Sequence, residues 1–149
     1  MAADQEKQAA VAQRGALVMP FSLEKTLHQF TKTKNGGIQR VVVRDGVDQQ
    51  QIQLIRQHLH LLSTQFALGD FSGPAAIHGA DMPGLAQLKA AKPGSIRIAY
   101  ADQNDGASLT YTSRNPRLIK AVHTWFDAQV DDHGRDALDM SHCPFHQKH

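Results

Sequence analysis

The sequence lacks the features that mark several large classes of protein. Its 149 residues include a single cysteine, which excludes an internal disulfide framework. No stretch approaches the roughly 20 consecutive apolar residues of a spanning helix, so we expect no membrane insertion. Sixteen Lys and Arg stand against fourteen Asp and Glu without any long basic run, which argues against a nucleic-acid partner.

Sequence motifs of common enzymes are also missing. The chain contains no GxSxG, no HExxH, no Walker loop and no CxxC. This thin catalytic inventory favours a protein that is not an enzyme. Because 41% of the residues are apolar and 20% are charged, the composition is that of a globular protein of one domain.

A hairpin followed by a helix is predicted twice along the chain. Residues 26–45 alternate around an Asn-Gly turn, and residues 49–68 carry apolar side chains at helical spacing. Residues 95–113 repeat the hairpin around an Asn-Asp-Gly turn, and residues 116–133 repeat the helix. Aspartate and asparagine precede the two helices as predicted N-caps.

These two units predict an α+β fold. Joining the hairpins gives an antiparallel four-stranded sheet with both helices packed on one face. We expect a flexible N-terminal lead-in over 1–16, a single domain over 17–134 and a mobile tail over 135–149. The predicted core consists of Ile55, Leu59, Leu62, Phe66, Ile98, Leu109, Val122, Trp125 and Phe126.

The tail holds the densest set of metal-binding residue types, namely Met140, His142, Cys143, His146 and His149. Thiolate and thioether favour Cu(I), whereas imidazole suits Cu(II) and zinc. A structural zinc site usually has two Cys/His pairs, and a chain with one cysteine has only one such pair. An unstructured histidine-rich tail with adventitious metal affinity is the alternative.

A second candidate lies in the long loop that follows the first helix. His78 and Met82 flank Gly79, whose conformational freedom lets an imidazole and a thioether face one copper ion. Either side chain also suits haem iron as an axial ligand. The alternative is a surface histidine with a methionine that covers the short helix predicted after Pro83.

Further histidines lie on the predicted sheet and helices. His28, His58 and His123 come from three elements and are predicted to face one layer, where they would converge, although histidines bonded to backbone carbonyls are commoner. His133 lies roughly 15 Å beyond His123 along a helix, so these two cannot share one ion. A C-terminal cap explains His133 equally well.

Six short segments between residues 17 and 134 carry a resemblance to a known family. They are Met19-Pro20-Phe21 with Thr26 and His28, Gly69-Asp70-Phe71 to Pro74, Ile77-His78-Gly79, Met82 to Leu85, His123 to Gln129, and Asp132-His133-Gly134. Together they resemble a family of small exported proteobacterial proteins that are often labelled aspartate carbamoyltransferase. A carbamoyltransferase needs two domains and a Ser-Thr-Arg-Thr phosphate loop, and this chain has neither, so we expect no such activity.

The resemblance implies export, a removed signal peptide and a periplasmic location. Our leading hypothesis is a non-enzymatic, copper-favoured metal-binding protein that uses His78 and Met82 in the domain and the tail as a capture site. Zinc is the alternative ion. Non-covalent haem binding is the second hypothesis, because no CxxCH is present, and an interaction domain with incidental histidines is the third.

Overall fold

The computed structural model describes residues 21, 25–45, 47–71, 83–92, 94–133 and 137–140. The strands are β1 (Thr26–Thr33), β2 (Gly36–Val43), β3 (Ile96–Gln103), β4 (Gly106–Ser113) and β5 (Ala137–Asp139). The helices are α1 (Gln49–Ala67), α2 (Leu85–Ala90) and α3 (Pro116–His133). This element order confirms the α+β class.

The sheet differs from the predicted one in its fifth strand. Its order is β3-β4-β2-β1-β5, and β5 runs parallel to β1 whereas the other neighbours are antiparallel. The prediction of a four-stranded antiparallel sheet is therefore incomplete. The added strand comes from the segment that we assigned to the tail, and its three residues are too short to show an alternating pattern.

The two hairpin-helix units are related by an approximate two-fold arrangement. The pairs that close the hairpins, Thr33–Gly36 and Gln103–Gly106, lie seventy residues apart in sequence, and the hairpins join through β2 and β4. Helix α1 packs on β3 and β4, whereas α3 packs mainly on β1, β2 and β5. Each helix thus covers the hairpin of the other unit, and both helices lie on one face, as predicted.

The ends of the long helices match the sequence pattern because their caps are local. The Asp48 carboxylate accepts a hydrogen bond from the backbone N–H of Gln51 at 3.2 Å, and α1 ends before Gly69, whose φ is +82°. The Asn115 side chain accepts from the backbone N–H of Arg117 at 2.9 Å. Both helices therefore begin where the sequence predicts.

The core lies between the sheet and the helices. Eight of the nine predicted core residues are buried, and the ninth, Ile98, is half-buried because β3 is an edge strand. Trp125 is at the centre of the aromatic cluster, with ring contacts to Phe66, Phe71, Tyr111 and Phe126.

Candidate functional site

The chain lies against Trp125 on both sides of the segment 72–82, at Phe71 and at Gly84. On the N-terminal side, Phe71 is 3% exposed, stacks on Phe66 at 4.6 Å and meets Trp125 edge-on at 6.0 Å. On the C-terminal side, the chain returns at Gly84 against the backbone of α3. The loop that carries the predicted ligands therefore starts and ends on one rigid part of the core.

The return at Gly84 requires glycine for two reasons. Its φ of +83° lies in the left-handed region, and a Cβ there would lie 2.4 Å from the Ala121 carbonyl oxygen. The same Cβ would lie 2.9 Å from the Trp125 backbone nitrogen. Leu85, the next residue, is fully buried. The predicted ligands His78 and Met82 themselves lie outside the described residues.

The start of the tail is held at the edge of the sheet. Strand β5 pairs with β1, and the backbone N–H of Met140 donates to the carbonyl oxygen of Phe30 at 2.7 Å. Met140 is the last described residue of the chain. The tail ligands His142, Cys143, His146 and His149 lie outside the described residues.

Lys32 joins β1 to both α3 and β5, and the sequence analysis missed it. Its Nζ lies 2.9 Å from Asp127 Oδ1 and 3.9 Å from Asp139 Oδ2. The hydrogen bond to Asp127 raises the pKa of Lys32. Lys32 alternates in step with His28 and Phe30 along β1, so the sequence could have placed it on the face of the sheet that the helices cover. No sequence pattern could have identified its two distant partners.

Phe21 brings two of the predicted histidines into one aromatic cluster. Its ring centroid lies 6.1 Å from that of His28 and 5.6 Å from that of His58. His28 is 3% exposed, and burial lowers the pKa of His58. A lowered pKa keeps the imidazole of His58 neutral at neutral pH, which is the form that binds metal ions.

His123 lies elsewhere and does not join this cluster. Its Nε2 is 2.8 Å from the carbonyl oxygen of Thr33, at the hairpin end of β1. Since a carbonyl only accepts, Nε2 carries the proton and Nδ1 is the nitrogen left for a ligand. Thr33 is roughly 16 Å along the strand from His28. The predicted convergence of His28, His58 and His123 is therefore wrong. His28 and His58 lie beside Phe21, whereas His123 lies at the other end of β1.

The described residues hold no preformed metal centre. Among them, no group of three or more His, Cys, Asp or Glu side chains is arranged to bind an ion. Helix α3 ends at His133, whose side chain is not among those that the structure describes. His60 is exposed, and its ring centroid lies 5.1 Å from that of Tyr100. Any site with three such ligands must therefore draw on residues beyond the described ranges.

An open groove of about 920 Å³ lies at the end of the sheet, beside the start of α3. Arg97 and Arg114 line it together with hydroxyl and amide side chains. Its described lining contains no imidazole, thiol or carboxylate, so it lacks the groups that bind copper or zinc. The groove is therefore separate from the predicted metal chemistry.

Within the described ranges, no helix has the length and apolar character needed to cross a membrane. The family resemblance drawn from the sequence stays a prediction. No family model, curated protein or solved structure matches the chain.

Proposed function

We propose that this chain is a non-enzymatic, periplasmic metal-binding protein for which copper is the favoured ion. His78 and Met82 form its selective site, and the tail forms a capture site with His142, Cys143, His146 and His149. The proposal combines one imidazole with one thioether in the loop. That pair favours copper over zinc, because thioethers bind soft Cu(I) and contribute little to zinc sites.

The observation that carries this proposal is the position of the loop ends. Phe71 and Gly84 both lie on Trp125, so the twelve residues between them leave and rejoin the same surface. Closing a short loop onto a fixed base reduces the conformational entropy that ligand ordering must overcome. A metal ion bound there therefore costs less ordering entropy than one bound by a free chain end.

The tail supports the proposal in a different way. Its ligands begin two residues after Met140, whose backbone is hydrogen-bonded to β1. Cys and His must lose their protons to bind, so metal binding in the tail weakens as the pH falls.

The experiment is metal analysis and an absorption spectrum of the protein purified without a histidine tag. One or more equivalents of copper support the proposal, and the Soret band of haem would support non-covalent haem binding instead. If the protein binds neither copper nor haem after incubation with each, the interaction domain remains as the function. His60→Ala is the control for a His78→Ala chain in the same measurement, because His60 is an exposed histidine on the surface of α1.

A further inference from the structure

The groove at the end of the sheet carries positive charge without any acid beside it. It lies where β3 begins, β4 ends and α3 begins, and Arg97 and Arg114 are the charged residues of its described lining. The acidic residue of β3, Asp102, lies roughly 17 Å along the strand from Arg97. Exposed charges that far apart are largely screened at ordinary ionic strength, so Asp102 does not neutralise the groove.

The two arginines of the groove are not used to hold the fold. Elsewhere in the sheet and on α1, Arg40 and Arg56 each lie 3.8 Å from a carboxylate oxygen at the opposite end of β3 and β4. Arg97 and Arg114 are exposed, and neither side chain forms an ion pair or a hydrogen bond with a described residue. Their guanidinium groups are therefore available to a ligand.

The strand register brings the two guanidinium groups to one place. Arg97 lies directly opposite Thr112 in the antiparallel pair of β3 and β4, so these two side chains share a face. Arg114 follows two residues after Thr112 and lines the same groove. Diagonal neighbours across antiparallel strands are roughly 7–8 Å apart, so two arginine side chains can reach one anion between them.

Two neutral side chains add further donors. The Thr112 hydroxyl and the Asn35 amide line the groove, and neither is hydrogen-bonded to a described residue. The hydroxyls of Ser95 and Ser113 differ, because each donates to a backbone carbonyl oxygen, at 2.5 Å and 2.7 Å. The free donors of the groove are therefore two guanidinium groups, one hydroxyl and one amide.

The start of α3 does not supply the binding groups. The Asn115 side chain accepts from the N–H of Arg117, and its carbonyl oxygen accepts from the N–H groups of Leu118 and Ile119 at 3.0 Å. Because these donors are already bonded, the helix contributes only the positive end of its dipole. A ligand in the groove must be held by side chains.

We propose that this groove binds a phosphate group between Arg97 and Arg114, either as the free ion or as the ester of a small molecule. One arginine can satisfy both oxygens of a carboxylate, whereas a phosphate has more acceptor positions and up to two negative charges. Two guanidinium groups with a hydroxyl and an amide match the phosphate. The site is separate from the proposed copper ligands and does not depend on them.

The size of the groove favours a phosphate ester. Its volume of about 920 Å³ lies within the range of small-molecule sites and is much larger than one phosphate ion needs. The half-buried Ile119 provides an apolar contact for the carbon part of such a ligand. Two arginines without a basic run also suit a small molecule better than a nucleic acid, which is bound through many phosphates.

The test is calorimetric titration of inorganic phosphate and of glycerol phosphate at low ionic strength, in chelator so that bound metal does not contribute. Both probes should bind to the parent chain. Arg97→Gln and Arg114→Gln should each weaken binding at least about fivefold, because each removes one charge-assisted hydrogen-bonding group. Since neither side chain has a described partner, the urea midpoints of both variants should equal that of the parent.

Arg117→Gln is the matched control. It removes the same charge from an exposed residue in the first turn of α3, but Arg117 does not line the groove, so affinity should change by less than about twofold. Tighter binding of glycerol phosphate identifies an ester as the ligand, whereas equal affinities identify the free ion. Acetate at the same ionic strength should bind at least about tenfold more weakly than phosphate.

A second measurement locates the site. In a nitrogen-15 NMR titration, phosphate should shift the signals of Asn35, Arg97 and Thr112 and leave those of Asp105 and its turn in place. A parent chain that binds no phosphate at millimolar concentration overturns the proposal. So does an Arg117→Gln chain weakened as much as Arg97→Gln, acetate binding as tight as phosphate, or NMR shifts confined to another part of the protein.

Discussion

The Tyr111 hydroxyl donates a hydrogen bond to Gln39 Oε1 at 2.8 Å in the buried centre of the sheet. Gln39 pairs with Leu109 across β2 and β4, at the centre of the approximate two-fold arrangement. A buried amide thus occupies in one unit the place that a leucine occupies in the other. Burial raises the pKa of Tyr111 well above its ordinary value, so its hydroxyl remains a donor.

Removing one partner of this hydrogen bond should cost more than removing both. Tyr111→Phe leaves the buried Gln39 carbonyl without its donor, which should lower the free energy of unfolding by about 1–3 kcal/mol. Adding Gln39→Leu removes the unsatisfied group and should recover most of that loss. Urea denaturation of the single and double variants measures both effects. Equal losses in the two variants would show that the unsatisfied Gln39 carbonyl is not the cause of the lost stability.

The contrast between Asp48 and Lys32 explains how much of the fold could be predicted from the sequence. Asp48 caps a helix three residues away, so a local pattern was sufficient to place the start of α1. Lys32 contacts Asp127, 95 positions away, and its Nζ lies 3.9 Å from Asp139 of β5. A strand of three residues stabilised by such distant contacts leaves no periodic pattern to detect.

Gly84→Ala should destabilise the protein more than the same change at Gly94. Both glycines have φ of +83°, so alanine at either position pays about 1–2 kcal/mol for the left-handed conformation. A Cβ at Gly94 meets nothing within 4 Å, whereas one at Gly84 overlaps α3. The overlap should add about 1–3 kcal/mol. Thermal and urea denaturation of the two variants gives the comparison, and equal destabilisation would argue against the close contact.

His58 should make the protein less stable in mild acid. Burial lowers the pKa of His58 from its ordinary value of 6.5, so the unfolded chain takes up this proton more readily than the folded one. Its contribution to stability is therefore present above pH 6.5 and is lost as the pH falls below it. His58→Gln should flatten the decline in urea midpoint between neutral and acidic pH.

His60→Gln is the control for that experiment. His60 is exposed on the same helix, so this variant controls for the replacement of a histidine of α1 by glutamine. A decline in His58→Gln as steep as in the parent would show that His58 is not the group responsible.

The candidate site could be predicted only in part from the sequence. The residue types at His78 and Met82 indicated copper, but the spacing could not reveal that Phe71 and Gly84 hold the loop ends on Trp125. The predicted convergence of three histidines was wrong. His28 and Thr33 lie far apart along β1, and His123 is hydrogen-bonded to Thr33. The position of each residue along its strand or helix decided which side chains meet. Residue types alone do not specify that position.

Calorimetric titration of copper into two variants tests the proposed function most directly. Because β5 belongs to the sheet, the truncation should remove only residues 141–149 and leave Met140 hydrogen-bonded to Phe30. The truncated chain should lose weak, pH-sensitive sites and keep one equivalent of copper, with selectivity over zinc. Adding His78→Ala and Met82→Ala should abolish that remaining equivalent. If the truncated chain binds no copper, the loop site is wrong.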